Sequence, residues 1–95
     1  MSIYNRLSNE RPSLIHIEVL SKDRTGLVSD ICAAITASGA DIRYHRAKVF
    51  SDRKGAYMSR FIAEVRTGSD PEPLLRALGR IKGTVDVTAD DSQEN

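Results

Sequence analysis

From residue 14 to residue 88 the chain switches between two hydrophobic periods. Leu14-Ile15-His16-Ile17-Glu18-Val19-Leu20 sets Ile15, Ile17 and Val19 against His16 and Glu18, the two-residue period of a half-buried strand. Ser21 to Thr25 breaks the alternation with polar turn residues. Leu27, Ile31 and Ile35 then recur every four positions, and Val28, Cys32 and Ala34 widen the stripe, which predicts a helix stopped at Gly39. Asp41 to Phe50 and Ala56 to Arg66 read as two strands around Ser51 to Gly55, a glycine-containing loop that suits a hairpin. Tyr57, Phe61, Ala63 and Val65 share a face in the second of these strands, whereas the first changes parity between Ile42/Tyr44 and Ala47/Val49. A β-bulge near Tyr44 to Arg46 would reconcile the two halves. Ser69-Asp70-Pro71-Glu72-Pro73 combines a cap, a first-turn proline and an early acid, and opens a second helix. Leu74, Leu78 and Ile81 mark its buried side, Gly83 stops it, and Thr84 to Thr88 alternates as a short fourth strand.

The order is βαββαβ, an α+β chain with a four-stranded antiparallel sheet carrying two helices on one face, which is the arrangement of the ferredoxin-like sandwich. Many unrelated functions use that fold, so the site must decide. The 95 residues suffice for one domain. The expected organisation is a flexible arm over 1–13, a patterned domain over 14–88 and a disordered acidic tail over 89–95. Fourteen basic residues against thirteen acidic ones give no global field toward nucleic acid or an anionic membrane. One cysteine, Cys32, allows neither an internal disulfide nor a multi-cysteine metal site. No apolar run approaches the length of a membrane span, and Met1 to Pro12 lacks the apolar centre of a signal peptide, so the cytoplasm is the expected compartment.

The polar turn between the first strand and the first helix is the candidate site. A helix start leaves backbone amides unsatisfied, and the missing Cβ of Gly26 lets a ligand approach the main chain. The same residues have a purely structural reading, in which Asp23 or Thr25 caps the helix and Gly26 relieves a tight entry.

Asp23-Arg24-Thr25-Gly26-Leu27-Val28, followed by Gly39-Ala40-Asp41-Ile42 and Gly83-Thr84-Val85-Asp86-Val87, resembles the three landmarks of the ACT domain, a small regulatory module that typically binds amino acids. The run Asp23 to Ile31 is most similar to the ACT module at the C-terminus of the RelA/SpoT stringent-response proteins. The resemblance implies no catalysis and no cofactor. It implies a homodimer in which strand one and helix one of two copies pair into one eight-stranded sheet, with a ligand such as an amino acid held between the first turn of one copy and the start of strand two of the other. Carried onto this chain, the ligand-binding residues are Ser21, Asp23, Arg24, Thr25, Gly26, Leu27, Asp41 and Ile42. A separately encoded enzyme is the kind of partner such a module regulates. The chain departs from the family at Thr25, where proline is usual, and at Asp23 and Asp41, where many amino-acid binders carry asparagine. An ionised aspartate accepts a ligand ammonium but cannot donate to its carboxylate.

Other chemistries are weaker. His16 and His45 have no partner at metal-ligand spacing, Cys32 lies on the apolar stripe of its helix, and the acidic residues form no catalytic pair. The competing module of the same order is the RNA-binding RRM. Lys54, Gly55 and Phe61 match its strand-three motif, but the two stacking positions are Ala56 and Met58, and strand one supplies no aromatic. Arg43, Arg46, Lys48, Arg53, Lys54, Arg60 and Arg66 outweigh Asp52 and Glu64 in the hairpin, a basic surface open to a phosphate-bearing partner or simply to solvent. Met58 and Ile62 lie on the face away from the helices, and face-to-face packing through them is the alternative dimer.

Overall fold

The structure, a computed structural model, describes residues 13–68 and 70–91. Its elements are β1 (Ser13–Lys22), α1 (Leu27–Ala37), β2 (Asp41–Ser51), β3 (Tyr57–Thr67), α2 (Glu72–Gly79) and β4 (Thr84–Asp91). The strands form one antiparallel sheet in the order β2-β3-β1-β4. This is the βαββαβ sandwich that the two periods predict, with the apolar stripes of both helices meeting one face of the sheet.

The core lies between that face and the helices. Ile17 and Val19 of β1, Ile31 and Ile35 of α1, Phe61 of β3 and Leu78 of α2 are all buried in one cluster. Burying a side chain of this size stabilises by about 1.5–3 kcal/mol, so positions of this kind supply much of the drive to fold. On the opposite, open face, Leu20, Met58 and Ile62 are only half-buried.

Several boundaries differ from the sequence expectation, each for a local reason. The bulge in β2 falls at Arg43, between Ile42 and Tyr44, just ahead of the Tyr44–Arg46 window. From there His45, Ala47 and Val49 follow Ile42 on the helix side, and Tyr44, Arg46, Lys48 and Phe50 take the open face. α2 ends at Gly79 rather than at Gly83, so Ile81 packs against the core from the turn that follows. At the start of α2 the Oδ1 of Asp70 accepts the amide of Glu72 at 3.1 Å, while Pro71 occupies the cap position. β4 is longer than expected. Ala89 pairs with Ile17 and Asp91 with Ile15, because backbone pairing to β1 does not depend on side-chain polarity. Three residues assigned to the acidic tail are therefore strand. The arm over residues 1–12 and the tail beyond Asp91 lie outside the described residues.

β1 is central, hydrogen-bonded to β3 on one side and to β4 on the other. It has no free edge, which corrects the expectation that strand one carries the pairing of two copies. The free edges are those of β2 and β4.

Candidate functional site

The turn from β1 into α1 is built by backbone bonds at the end of the sheet. The Lys22 amide donates to the Gly83 carbonyl at 2.9 Å and the Asp23 amide to the Tyr57 carbonyl at 3.0 Å, fixing where the chain leaves β1. Gly26 then adopts φ 80° as the N-cap residue of α1. A left-handed conformation costs any residue with a Cβ roughly 1–2 kcal/mol, which explains a glycine here in backbone terms. Neither Asp23 nor Thr25 caps the helix, since no side chain bonds its first amides.

Those amides are the chemical content of the turn. The Leu27 amide donates to the Arg24 carbonyl at 3.3 Å and the Asp30 amide to the Gly26 carbonyl at 2.9 Å, but the amides of Val28 and Ser29 have no partner among the described residues. They face outward at the positive end of the helix dipole, an arrangement that attracts a carboxylate or other anion. Asp23, Thr25 and Gly26, in the turn that leads into this helix end, are exposed.

Arg24 holds the turn together. Its Nε donates to the Lys82 carbonyl at 3.2 Å and its Nη1 to the Thr25 carbonyl at 3.2 Å, while Nη2 meets Asp30 Oδ2 at 2.9 Å. One guanidinium thus ties the first turn of α1 to the loop before β4. Ser21 is fully buried, and its hydroxyl donates to the Lys22 carbonyl at 2.9 Å, below the turn rather than on its outer surface. A Cβ on Gly83 would come within 3.2 Å of the Ser21 Oγ, and Gly83 itself has φ 95°. Lys82 and Gly83 therefore belong to the turn's framework, which sequence reasoning missed. The signal was present in Gly83, which the sequence offers as a helix stop and as the start of the third landmark but not as a neighbour of Ser21.

Asp41 and Ile42 are elsewhere. β1 and β2 both run antiparallel to β3, and Asp41 stands level with Arg66 and Leu14, at the far end of the sheet from Asp23. Nine residues of strand separate the two levels, on the order of 30 Å. Asp41 is exposed and Ile42 packs on the edge of the core. Within one chain the eight residues form two groups, Ser21 to Leu27 at one end and Asp41 with Ile42 at the other.

Cys32 is partly buried on α1, and burial raises its thiol above the ordinary range, the opposite of what a nucleophile needs. Among the described residues no group of three His, Cys, Asp or Glu side chains is placed to hold a metal ion, and no helix is long and apolar enough to cross a membrane. Phe61, the aromatic of the RRM-like motif, faces the helices at 1% exposure, where it cannot stack on a base.

Fold, turn and landmarks together define a small regulatory module, and the comparison with family models agrees: residues 10–88 match the ACT domain. The chain belongs to the ACT domain family. Among curated proteins nothing matches the sequence. Solved structures share the fold at low identity. The ACT domain from a GTP pyrophosphokinase of Chlorobium tepidum superposes with a TM-score of 0.64 at 16% identity, over 82% of this chain and 97% of that one. A protein of Galdieria sulphuraria gives 0.70 at 16% identity, over 88% of this chain and 47% of its own length. A homoserine dehydrogenase from Thiobacillus denitrificans gives 0.64 at 10% identity, over 87% of this chain and 18% of that one. The chain thus spans about half of the Galdieria protein and a small part of the dehydrogenase.

Proposed function

We propose that this chain is a non-catalytic regulatory module that binds a small metabolite of the amino-acid class between two copies of itself, at the Asp23–Leu27 turn of one and the Asp41–Ile42 strand start of the other. The supporting observation is the pair of amides at Val28 and Ser29, unpartnered among the described residues, at the end of a turn in which Asp23 is exposed. The amides donate to a carboxylate and Asp23 accepts from an ammonium, so the turn supplies the donors that aspartate in place of asparagine lacks.

The 30 Å-scale separation of Asp23 from Asp41 calls for a second copy, and the edge of β2 is where one fits. A two-fold axis normal to the sheet, passing beside β2, makes the two β2 strands antiparallel and brings the partner's strand start to the end that carries the Asp23 turn. Arg43, Arg46 and Lys48 on this edge repel their counterparts, so such a dimer tightens as salt rises. A separately encoded enzyme remains the kind of target such a dimer would regulate.

Thermal-shift screening with the proteinogenic amino acids tests the ligand. A binder at 100 times its dissociation constant adds about 2.7 kcal/mol, and Gly26→Val should abolish that gain while leaving a folded protein. Unchanged binding by the variant would remove the turn as the site. Sedimentation equilibrium tests the dimer, and a monomer near 10.5 kDa at every salt concentration would remove the shared site.

A further inference from the structure

The open face of the sheet carries a second feature, unrelated to the first turn. Arg46 and Lys48 of β2 and Arg60 and Ile62 of β3 line a concavity of about 420 Å³, the scale of a small-molecule site. The register explains the convergence: Arg46 pairs with Ile62 and Lys48 with Arg60, and with the bulge at Arg43 all four side chains rise on the same side.

Arg60 is held in place. Its Nε donates to Glu18 Oε2 at 2.7 Å, and its guanidinium carbon lies 5.3 Å from the centre of the Phe50 ring. The terminal amino groups keep no hydrogen-bond partner among the described residues. A guanidinium fixed in this way loses little freedom when it binds. Arg46 and Lys48 have no carboxylate partner among the described residues. Glu18 offsets one of the three cations and Glu64 stands on the same face beside Ile62, so three cations face two carboxylates around an apolar floor formed by Ile62.

We propose that this concavity binds a phosphate monoester, its phosphate among Arg46, Lys48 and Arg60 and its organic part over Ile62. A monoester carries a charge of about −1.5 to −2 near neutral pH, which suits a concavity where Arg46, Lys48 and Arg60 converge. The rest of the face limits the ligand to a compact one. Across β1 and β4 the same surface turns acidic, with Asp86 level with Leu20 and Asp90 level with His16, so a nucleic-acid strand crossing the sheet would meet repulsion beyond Arg60.

Adenosine 5′-monophosphate, titrated calorimetrically at low salt against adenosine as the control, is the probe. Saturable binding of one monophosphate per chain, absent for adenosine, is expected. The double variant Arg46→Gln/Lys48→Gln, with both positions exposed, should fold normally and weaken binding by at least about tenfold, since each removes a charge-assisted contact. Arg53→Gln/Lys54→Gln removes equal charge at the hairpin tip and should leave the affinity within about twofold, because exposed charges at a distance are screened. Gly26→Val should leave it unchanged, which separates this site from the first turn. Absence of saturable binding, or equal losses in both double variants, overturns the proposal. So does a decauridylate RNA that binds more tightly than the monophosphate and is lost on the same Arg46/Lys48 change.

Discussion

β2 and β3 have the same length and are hydrogen-bonded neighbours, yet their surroundings are opposite. In β3 the residues on the helix side, from Ser59 to Thr67, are all buried, while in β2 every residue except Ile42 and Phe50 is exposed. The cause is the width of the helix layer. α1 and α2 cover the central strands β3 and β1 but run out over the edge strands, so Val49 of β2 stays 53% exposed on the side where Phe61 is 1% exposed, and no residue of β4 is fully buried. His45 closes the boundary by stacking on Phe61, with ring centroids 5.5 Å apart. Hydrophobic alternation therefore means burial only where a second layer exists. An edge strand rich in Arg and Lys keeps its pairing with β3 while resisting indiscriminate association.

The largest break in this comparison comes from Phe61→Ala. It should cost about 3–5 kcal/mol in urea unfolding, against about 0.5 kcal/mol or less for Val49→Ala on the neighbouring strand. Similar losses at the two positions would mean that the helix layer does not set the core. Next in size is Gly26→Val at the end of the covered strand β1. The left-handed backbone predicts a loss of about 1–2 kcal/mol, a fall of several degrees in Tm for a chain of this length.

Arg24→Met should cost about 1 kcal/mol through its carbonyl bonds to Lys82 and Thr25, whereas Asp30→Asn, which removes only an exposed ion pair, should cost well under that. Equal effects would assign Arg24's contribution to charge instead of to the clasp it makes across the turn. The smallest effect is a pH slope. Burial raises the Cys32 thiol above its ordinary value of 9.0, so the fold favours the neutral form, and this contribution is complete below that pH and lost as pH rises from there through the raised value of the folded thiol. Between about pH 8 and pH 10 wild type should lose slightly more stability than Cys32→Ala, and parallel slopes would show that the thiol is solvated.

Element order, both helices and the core faces were legible because each rests on a period that one sequence displays. Ile15, Ile17 and Val19 announce a half-buried strand, and Leu27, Ile31 and Ile35 a helix, whatever their neighbours are. The turn at Gly26 was legible as a helix entry. What was not legible depends on contacts between distant segments. Arg24 reaches the carbonyl of Lys82, 58 residues away, and no local pattern signals that bond. Asp90 and Asp91 have poor strand propensity, and only pairing with β1 makes them strand. The central position of β1 likewise follows from which strands pair, and periodicity carries no such information. The grouping of Arg46, Lys48 and Arg60 was visible as charge but not as a concavity, because their common face depends on the bulge being at Arg43.

The antiparallel pairing of β1 with β4 has an architectural corollary. Ile15 stands opposite Asp91, so the polypeptide enters and leaves the domain through adjacent ports at one end of the sheet, and the Asp23 turn crowns the other. Such a unit plugs into a host through a single socket. The Asp23 turn stands clear of these ports, whereas Asp41 lies level with the start of β1, so in the proposed two-copy site a host would adjoin the strand-start half and leave the turn half open.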